Sequence, residues 1–218
     1  MGLPDRPEDT MTRIYAIGAA IVLAVAMGAM WVLTLGGEDD RFAQCRSSAV
    51  AGGAGALGGP FTLVDEDGAT VTEAQVLDEP ALIYFGYTFC PDVCPMDVAR
   101  NVETVELLES RGQMVKPVFI TVDPERDTPE QLKAFTDYMH PRLLGLTGSE
   151  AQIKAASTAY RTYYLKHEPE AGAEDYYLVD HSTFTYLTLP DAGFVEFFRR
   201  DETAEQMAEK VQCFLDAS

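Results

Sequence analysis

The sequence predicts an α/β protein: one domain whose helices pack on a mixed β-sheet, preceded by a single transmembrane helix. Three observations predict this class. A charge-free stretch covers residues 14–35. Apolar β-prone segments then alternate with amphipathic helical segments, and a late pair of β-prone segments is followed by a closing helix. The length that remains after the apolar stretch suits one domain of roughly 150 to 160 residues.

The charge-free stretch has the length of a membrane span. It offers 22 positions, and a helix needs about 20 predominantly apolar residues to cross the hydrocarbon core. A cleavable signal peptide has a shorter apolar core of roughly 7 to 15 residues. We therefore expect a helical anchor over residues 14–35, with a cytoplasmic tail over residues 1–13.

Charges on either side of the span predict its orientation. Arg6 and Arg13 precede it and a Glu-Asp-Asp run at 38–40 follows it, and basic residues tend to remain on the cytoplasmic side. The domain is then expected outside the cytoplasm, in the periplasm of a bacterium. A bacterial inner membrane is favoured over a mitochondrial one, because no Arg-rich, acid-poor presequence precedes the span.

The net charge disfavours nucleic acid binding. Sixteen basic and 35 acidic residues give a formal charge of −19, which repels nucleic acid phosphates and anionic lipid surfaces. We expect no nucleic acid binding.

The region after the span predicts a tether and then a hairpin. Residues 36–59 are rich in small residues, most densely from Ser47 to Gly59, and are expected to form a flexible tether. Phe61–Val64 and Ala69–Thr72 then flank the turn sequence Asp65-Glu66-Asp67-Gly68. This pattern predicts a β-hairpin at the start of a domain over residues 60–218.

Alternating strands and helices follow the hairpin. Strands are predicted over Ala81–Tyr87, Pro117–Val122 and Leu144–Thr147. The intervening helices are predicted to begin at Pro95, which suits a first helical turn, and after Thr128, with Pro129 and Gln131 completing a helix start. Their inner faces are expected to carry Val98, Val102, Val105 and Leu108 in the first helix, and Leu132, Phe135 and Met139 in the second.

The last elements complete the predicted fold. Ser149 and Gln152 form a capping-box pattern before a helix whose inner face carries Ile153, Ala156, Tyr160 and Tyr163. The segments Phe184–Leu189 and Phe194–Phe198 flank a turn, and Thr203 with Gln206 begins a last helix. Crossover βα units followed by a hairpin and a helix predict a thioredoxin-like fold with an added N-terminal β-hairpin.

Two cysteines stand where the first predicted α/β strand ends. Cys90 and Cys94 lie between that strand and a helix start, at the open end of a sheet where α/β proteins place ligand sites. A helix N-terminus stabilises thiolate, the reactive and metal-binding form of cysteine. The pair is therefore predicted to bind a soft metal ion or to exchange disulfides, rather than to form a plain structural disulfide.

One histidine is the preferred third ligand. His181 precedes the late predicted strand, where a loop residue can reach across a sheet end, and Asp180 beside it is expected to orient a ring nitrogen. His140 has the position of a helix-end residue, and His167 that of a solvated one. A buried His181 bonded only to a backbone carbonyl is the alternative. Two thiolates and an imidazole suit Cu(I) or Cu(II), and zinc accepts the same ligands.

Three segments carry a family resemblance. The run Tyr84–Pro95 (Tyr-Phe-Gly-Tyr-Thr-Phe-Cys-Pro-Asp-Val-Cys-Pro), the run Asp123–Thr128 and the tripeptide Asp180–Ser182 resemble the Sco/SenC family over roughly residues 59 to 215. The resemblance implies a membrane-tethered thioredoxin-like metallochaperone that helps to assemble the binuclear copper centre, CuA, of cytochrome c oxidase subunit II. It implies that Cys90, Cys94 and His181 bind one copper ion. The copper could be Cu(I) or Cu(II).

Several further charged residues and the two remaining cysteines give weaker indications of a role. Asp123, Arg126 and Asp127 are expected to order their loop, and Asp92 and Asp97 to tune the site or meet a partner. Cys45 and Cys213 lie outside the family motifs. In an oxidising compartment such a remaining pair is more often a disulfide than a second site, so we predict that they are joined.

Four functions are compatible with the cysteine pair. The leading one is a copper metallochaperone, and the second is a thiol-disulfide reductase that uses Cys90 and Cys94 catalytically to keep the cysteines of subunit II reduced. A peroxiredoxin-type peroxidase is disfavoured, because it expects threonine or serine three residues before its cysteine, where this chain has Tyr87 or Pro91. An electron-transfer copper protein would need an axial thioether, and Met96 is the nearest methionine.

Overall fold

The structure is a computed structural model, and it describes residues 7–35, 41–47, 54–169 and 176–218. The chain divides into two compact units, which meet in sequence between Arg41 and Phe42. In the described part of the N-terminal unit, helix α1 covers Pro7–Leu35. Its segment Thr12–Trp31, with a mean hydropathy of 2.1, is long and apolar enough to cross a membrane by length and composition. The helix begins inside the predicted tail of residues 1–13.

The second unit is a mixed α/β domain. Its strands are β1 Thr62–Asp65, β2 Thr70–Thr72, β3 Ala81–Gly86, β4 Lys116–Thr121, β5 Leu144–Thr147, β6 Tyr164–Lys166, β7 Val179–His181, β8 Thr185–Leu189 and β9 Gly193–Phe198. Its helices are α2 Glu73–Val76, α3 Val93–Ser110, α4 Pro129–Met139, α5 Glu150–Ala159 and α6 Ala204–Asp216.

Seven strands form the main sheet in the order β2-β1-β5-β4-β3-β8-β9. Strands β3, β4 and β5 are parallel, whereas β8 pairs antiparallel with β3 and β1 pairs antiparallel with β5. This arrangement confirms the predicted thioredoxin-like fold, and the added N-terminal hairpin, β1–β2, extends the sheet beyond β5.

The central strands are apolar because both faces of the sheet are covered. All six residues of β3 are buried, as expected for a strand between two layers. Successive side chains point to opposite faces, so Leu82 joins a core cluster with Met207 and Phe214 of α6, while Ile83 and Phe85 join the other cluster. The sheet thereby fixes the end of β3, from which the cysteine loop departs.

Helix caps confirm the predicted helix starts, with one correction. The hydroxyls of Thr128, Ser149 and Thr203 each accept a hydrogen bond from the backbone amide three residues later. Helix α3, however, begins at Val93 rather than at Pro95. Proline fits within the first turn because amide groups there have no partner inside the helix. Cys94 therefore lies in the first turn of α3.

Helix α5 ends earlier than its apolar pattern predicted. Arg161 has a φ of 51°, and the amides of Arg161 and Thr162 donate to the carbonyls of Thr158 and Ser157. This is a Schellman end, with a non-glycine residue in the left-handed conformation. Tyr163, predicted on the inner face of the helix, consequently lies beyond it and is 58% exposed. Helix α2 and the two-stranded sheet of β6 and β7 were not predicted.

The described parts of the predicted tether pack on the domain. Phe42 is buried with its ring centroid 5.5 Å from that of Phe214, and a disulfide joins Cys45 to Cys213. The Gly58 amide donates to the Ala159 carbonyl at 2.9 Å. The compact unit therefore begins at Phe42, not at residue 60. The buried ring of Phe42 and the Cys45–Cys213 disulfide hold this segment on the domain, although its composition is rich in small residues. The remainder of the predicted tether, residues 36–40 and 48–53, lies outside the described residues.

Candidate metal centre

Three separate elements bring two sulfurs and an imidazole together. Cys90 lies in the turn after β3, Cys94 in the first turn of α3, and His181 at the end of β7. Their candidate ligand atoms all lie within 4.8 Å of one another, and Cys94 Sγ is 3.2 Å from His181 Nε2. Among the residues that the structure describes, these three form the group with the geometry to hold a metal ion.

The cysteine loop places the two sulfurs at different depths. The Cys90 amide donates to the Tyr87 carbonyl at 3.2 Å, which closes the turn, and the Cys94 amide donates to Cys90 Sγ at 3.3 Å. Cys94 is fully buried, whereas Cys90 is half-buried, and both are free thiols. Solvent or a partner therefore reaches the pair through Cys90.

Hydrogen bonding favours ionisation of the outer sulfur. The Cys94 thiol donates to Cys90, which lowers the pKa of Cys90 to about 3, with the backbone amides of Cys94 and Asp92 acting in the same direction. The same interaction, together with burial, raises the pKa of Cys94. Only one proton is then held between the two sulfurs at neutral pH, and Cys90 carries the thiolate.

A backbone carbonyl orients the imidazole of His181. Its Nδ1 lies 2.9 Å from the Ser182 carbonyl oxygen, and because a carbonyl can only accept, Nδ1 carries the proton. The lone pair of Nε2 then faces Cys94, as a metal ligand requires. The rings of Tyr84 and Tyr87 meet the imidazole edge-on, with centroids 6.1 and 5.9 Å away.

The prediction that Asp180 orients this ring is wrong. Asp180 instead lies 2.8 Å from Nε2 of His167, because neighbouring side chains on a strand point to opposite faces and β7 carries both Asp180 and His181. His167 is exposed, as predicted. His140 is the C-terminal cap of α4, also as predicted.

An open cleft of about 240 Å³ leads to the site, lined by Cys90, His181 and several neighbouring side chains. A larger hollow of about 530 Å³ also borders Val179 and is lined by charged side chains such as Lys154 and Glu150. The smaller cleft matters for the chemistry, because both Cys90 and the imidazole border it.

The acidic residues near the site bind protein groups. Asp127 accepts from the Thr88 amide and hydroxyl and from the Thr121 hydroxyl. Asp97 accepts from the Tyr84 hydroxyl at 2.9 Å and from Arg200 at 3.1 Å. Their carboxylates therefore order the surrounding loops.

The neighbouring residues of α3 do not supply a further ligand in the cluster. Asp92 is the residue immediately before the first turn of α3. Met96, the candidate axial thioether, is 61% exposed, and the Asp92 carboxylate is not among the grouped histidine, cysteine and acidic ligands. The described site is thus a two-sulfur, one-imidazole site.

These features define a class: a thioredoxin-like protein whose cysteine pair has three intervening residues and is completed by a histidine from a separate strand. The family model described as SCO1/SenC matches residues 50–216. Protein SenC of Rhodobacter capsulatus is 52% identical over 210 residues, covering 96% of this chain and 92% of that protein. The chain belongs to the SCO1/SenC family.

Solved structures agree with this assignment. The crystal structure of Arabidopsis thaliana ScoI with copper bound is 40% identical, with a TM-score of 0.69, and the match covers 74% of this chain and 99% of that chain. BsSco, a member of the Sco family of cytochrome c oxidase assembly proteins in which a disulfide switch was identified, is 25% identical, with a TM-score of 0.57, over 73% of this chain and 94% of that chain.

Proposed function

We propose that this chain is a membrane-anchored copper metallochaperone that binds one copper ion through Cys90, Cys94 and His181. The observation that carries the proposal is the convergence of these three ligand atoms within 4.8 Å, in a family with a member solved with copper bound. Two thiolates favour Cu(I), and the imidazole makes the site suitable for Cu(II) as well. Both oxidation states can then use the same three residues.

The accessibility of the site supports a role in copper delivery. Cys90 is half-buried and borders an open cleft, so an incoming thiolate or imidazole can replace one protein ligand at a time. The acceptor we propose is subunit II of cytochrome c oxidase, whose binuclear CuA centre needs copper. The family resemblance supports this partner, and BsSco belongs to a family of oxidase assembly proteins.

The proposed location is a bacterial inner membrane, with the N-terminus cytoplasmic and the domain periplasmic. A helix of suitable length and hydropathy supports the anchor. The disulfide between Cys45 and Cys213 supports an oxidising compartment, since disulfides rarely persist in the cytosol. Arg6 and Arg13 before the helix are consistent with this orientation, because basic residues beside a span tend to stay on the cytoplasmic side.

A thiol-disulfide reductase is the second candidate function, and the ionised outer cysteine favours it. The Cys90 thiolate would attack a disulfide sulfur of the acceptor and form a mixed disulfide, and Cys94 would then attack Cys90 and release the acceptor as a dithiol. Two electrons pass to the acceptor, and this chain is left with a Cys90–Cys94 disulfide. This reaction does not use His181.

Copper binding by the full chain in detergent tests the ligand set. The unchanged protein is expected to bind one Cu(II) per chain, with absorption from thiolate-to-copper charge transfer. His181→Ala should weaken Cu(II) binding by more than about 100-fold, since loss of an outer-shell partner alone often costs 10 to 100-fold. His167→Ala is the matched control, because that imidazole is exposed and bonded to Asp180. Equal affinity in His181→Ala and the unchanged protein would refute the site.

A transfer experiment separates the two functions. Copper-loaded protein and reduced metal-free protein are each mixed with a subunit II fragment, offered either as a metal-free dithiol or as a disulfide. Appearance of a copper signal on the dithiol fragment supports delivery. Reduction of the disulfide fragment without copper movement supports the reductase function instead.

A further inference from the structure

We infer that Arg126 is a positioning residue that holds the histidine strand β7 against the cysteine loop and so sets the separation of His181 from the two sulfurs. The inference rests on the proposed function, because it concerns the same site. Arg126 lies in the loop after β4, and its contacts with both halves of the site support the role.

On the histidine side, Arg126 contacts Tyr177. The guanidinium carbon lies 3.6 Å from the centroid of the Tyr177 ring, a stacking distance for a planar cation on an aromatic face. The Tyr177 hydroxyl donates to Asp123 Oδ1 at 2.7 Å, and Arg126 Nε donates to Asp123 Oδ2 at 2.5 Å. The Asp123 carboxylate thus binds both the Arg126 guanidinium and the Tyr177 hydroxyl. Tyr177 lies four residues before His181.

On the cysteine side, the same guanidinium faces two aromatic rings. Its carbon lies 4.9 Å from the centroid of Phe89, the residue before Cys90, and 5.6 Å from that of Tyr87. Tyr87 also contacts the histidine strand, since the Val179 amide donates to its hydroxyl at 3.4 Å. Arg126 is therefore enclosed by aromatic rings from both segments that supply ligands.

The histidine strand needs such support because its own sheet is small. Strand β7 has three residues and pairs with the three residues of β6, apart from the seven-stranded sheet. Few backbone bonds therefore define its distance from the end of β3. A metal site keeps its function only when its ligands are held within about 0.5 Å of the productive geometry. Side-chain contacts between β7 and the cysteine loop therefore decide the position of the imidazole.

A double-mutant cycle distinguishes positioning from general stabilisation. If Arg126 acts through the imidazole, Arg126→Ala should weaken Cu(II) binding by about 10 to 100-fold in the full chain in detergent, as losses of outer-shell partners do. In the His181→Ala background the same change should cost less than about threefold. Equal losses in the two backgrounds, or no loss in either, would overturn the inference.

Two further variants guard against a failure of Arg126→Ala to fold. Arg126→Lys retains the charge and removes the planar fork, and Tyr177→Phe retains the ring and removes the hydrogen bond to Asp123. Each is expected to weaken Cu(II) binding by several-fold only when His181 is present. Arg142→Lys is the matched control, because this arginine pairs with Glu79 near the other end of β3, about 20 Å from the cysteine loop. It should leave copper affinity unchanged.

Amide hydrogen exchange provides a readout that needs no copper. In the metal-free protein, Arg126→Ala should speed exchange by about tenfold or more at Val179, whose amide donates to Tyr87, and at Ser182, whose amide donates to the Tyr163 carbonyl, while the centre of β3 stays protected. Unchanged exchange at these positions would refute the inference. If the unchanged protein failed to bind copper through His181, the proposed function would fail, while the exchange measurement would still test the positioning role.

Discussion

Replacing Gly86 by alanine should damage both the core and the metal site. Gly86 is the last residue of β3, and a Cβ added there would lie 2.8 Å from Tyr84 Cε1, 3.0 Å from Cys94 Sγ and 3.0 Å from Phe119 Cε2. Heavy atoms in contact prefer about 3.5 to 4.0 Å, so each neighbour would have to move by about 0.5 to 1 Å.

The expected magnitude follows from the burial of these neighbours. Tyr84, Cys94 and Phe119 are all at most 1% exposed, so none of them can turn toward solvent to relieve the overlap. Overpacking of a filled core costs about 1 to 3 kcal/mol, and contacts on three sides favour the upper half of this range. A displacement of Cys94 Sγ by about 0.5 Å would also disturb its 3.2 Å approach to His181, which should weaken copper binding about tenfold or more.

Urea unfolding of the metal-free protein, followed by circular dichroism, measures the first effect, and a competitive copper titration measures the second. Gly55→Ala is the matched control, because a Cβ there meets no atom within 4 Å. If Gly86→Ala matched this control in both stability and copper affinity, the reasoning that the missing side chain makes room for the Cys94 sulfur would be refuted.

Three further predictions follow from the covalent and electrostatic features of the domain. Replacing Cys45 and Cys213 together by serine removes a disulfide between residues that are 168 positions apart. Because the unfolded chain then gains freedom, the free energy of unfolding should fall by up to about 5 kcal/mol in the chain-entropy model. Urea unfolding tests this, and a loss below about 1 kcal/mol would contradict it. Alkylation of Cys90 should proceed at a constant rate from pH 5 to 8, because with a pKa of about 3 it is a thiolate throughout. Cys94→Ala removes the largest cause of this low pKa, the hydrogen bond from the Cys94 thiol, while the backbone amides that also stabilise the thiolate remain. The pKa of Cys90 should therefore rise, and the rate should increase with pH within this range; an identical profile in both proteins would exclude this cause. Asp127→Ala removes a buried carboxylate that accepts three hydrogen bonds. The free energy of unfolding, measured in urea, should fall by about 3 kcal/mol. A change below about 1 kcal/mol would count against a role of Asp127 in ordering the cysteine loop.

Local sequence signals predicted most of the main sheet and the helix starts. Thr128, Ser149 and Thr203 were identified as caps because a cap depends on residues only a few positions apart. The hairpin β1–β2 and the strand β3 were likewise found from apolar runs bounded by turn residues. These elements need no knowledge of what they pack against.

Features that depend on distant contacts were missed or misplaced. Strands β6 and β7, with three residues each, are too short for a periodic signal, and so His181 was expected in a loop. The stacking of Arg126 on Tyr177 joins residues that are far apart in the chain, and no spacing pattern predicts it. The residue types of the candidate site were therefore readable from the sequence, whereas the support around them was not.

The disulfide has a consequence for how the chain matures. Cys45 leaves the ribosome before Cys90 and Cys94, and Cys213 follows all three, so the native bond closes only after nearly the whole domain has been synthesised. During that interval Cys45 is chemically free to react with either of its earlier neighbours, and four cysteines allow three pairings. We expect correct maturation to depend on reversible exchange of such early bonds, and growth conditions that suppress thiol shuffling should leave a fraction of the chains cross-linked through the wrong sulfur.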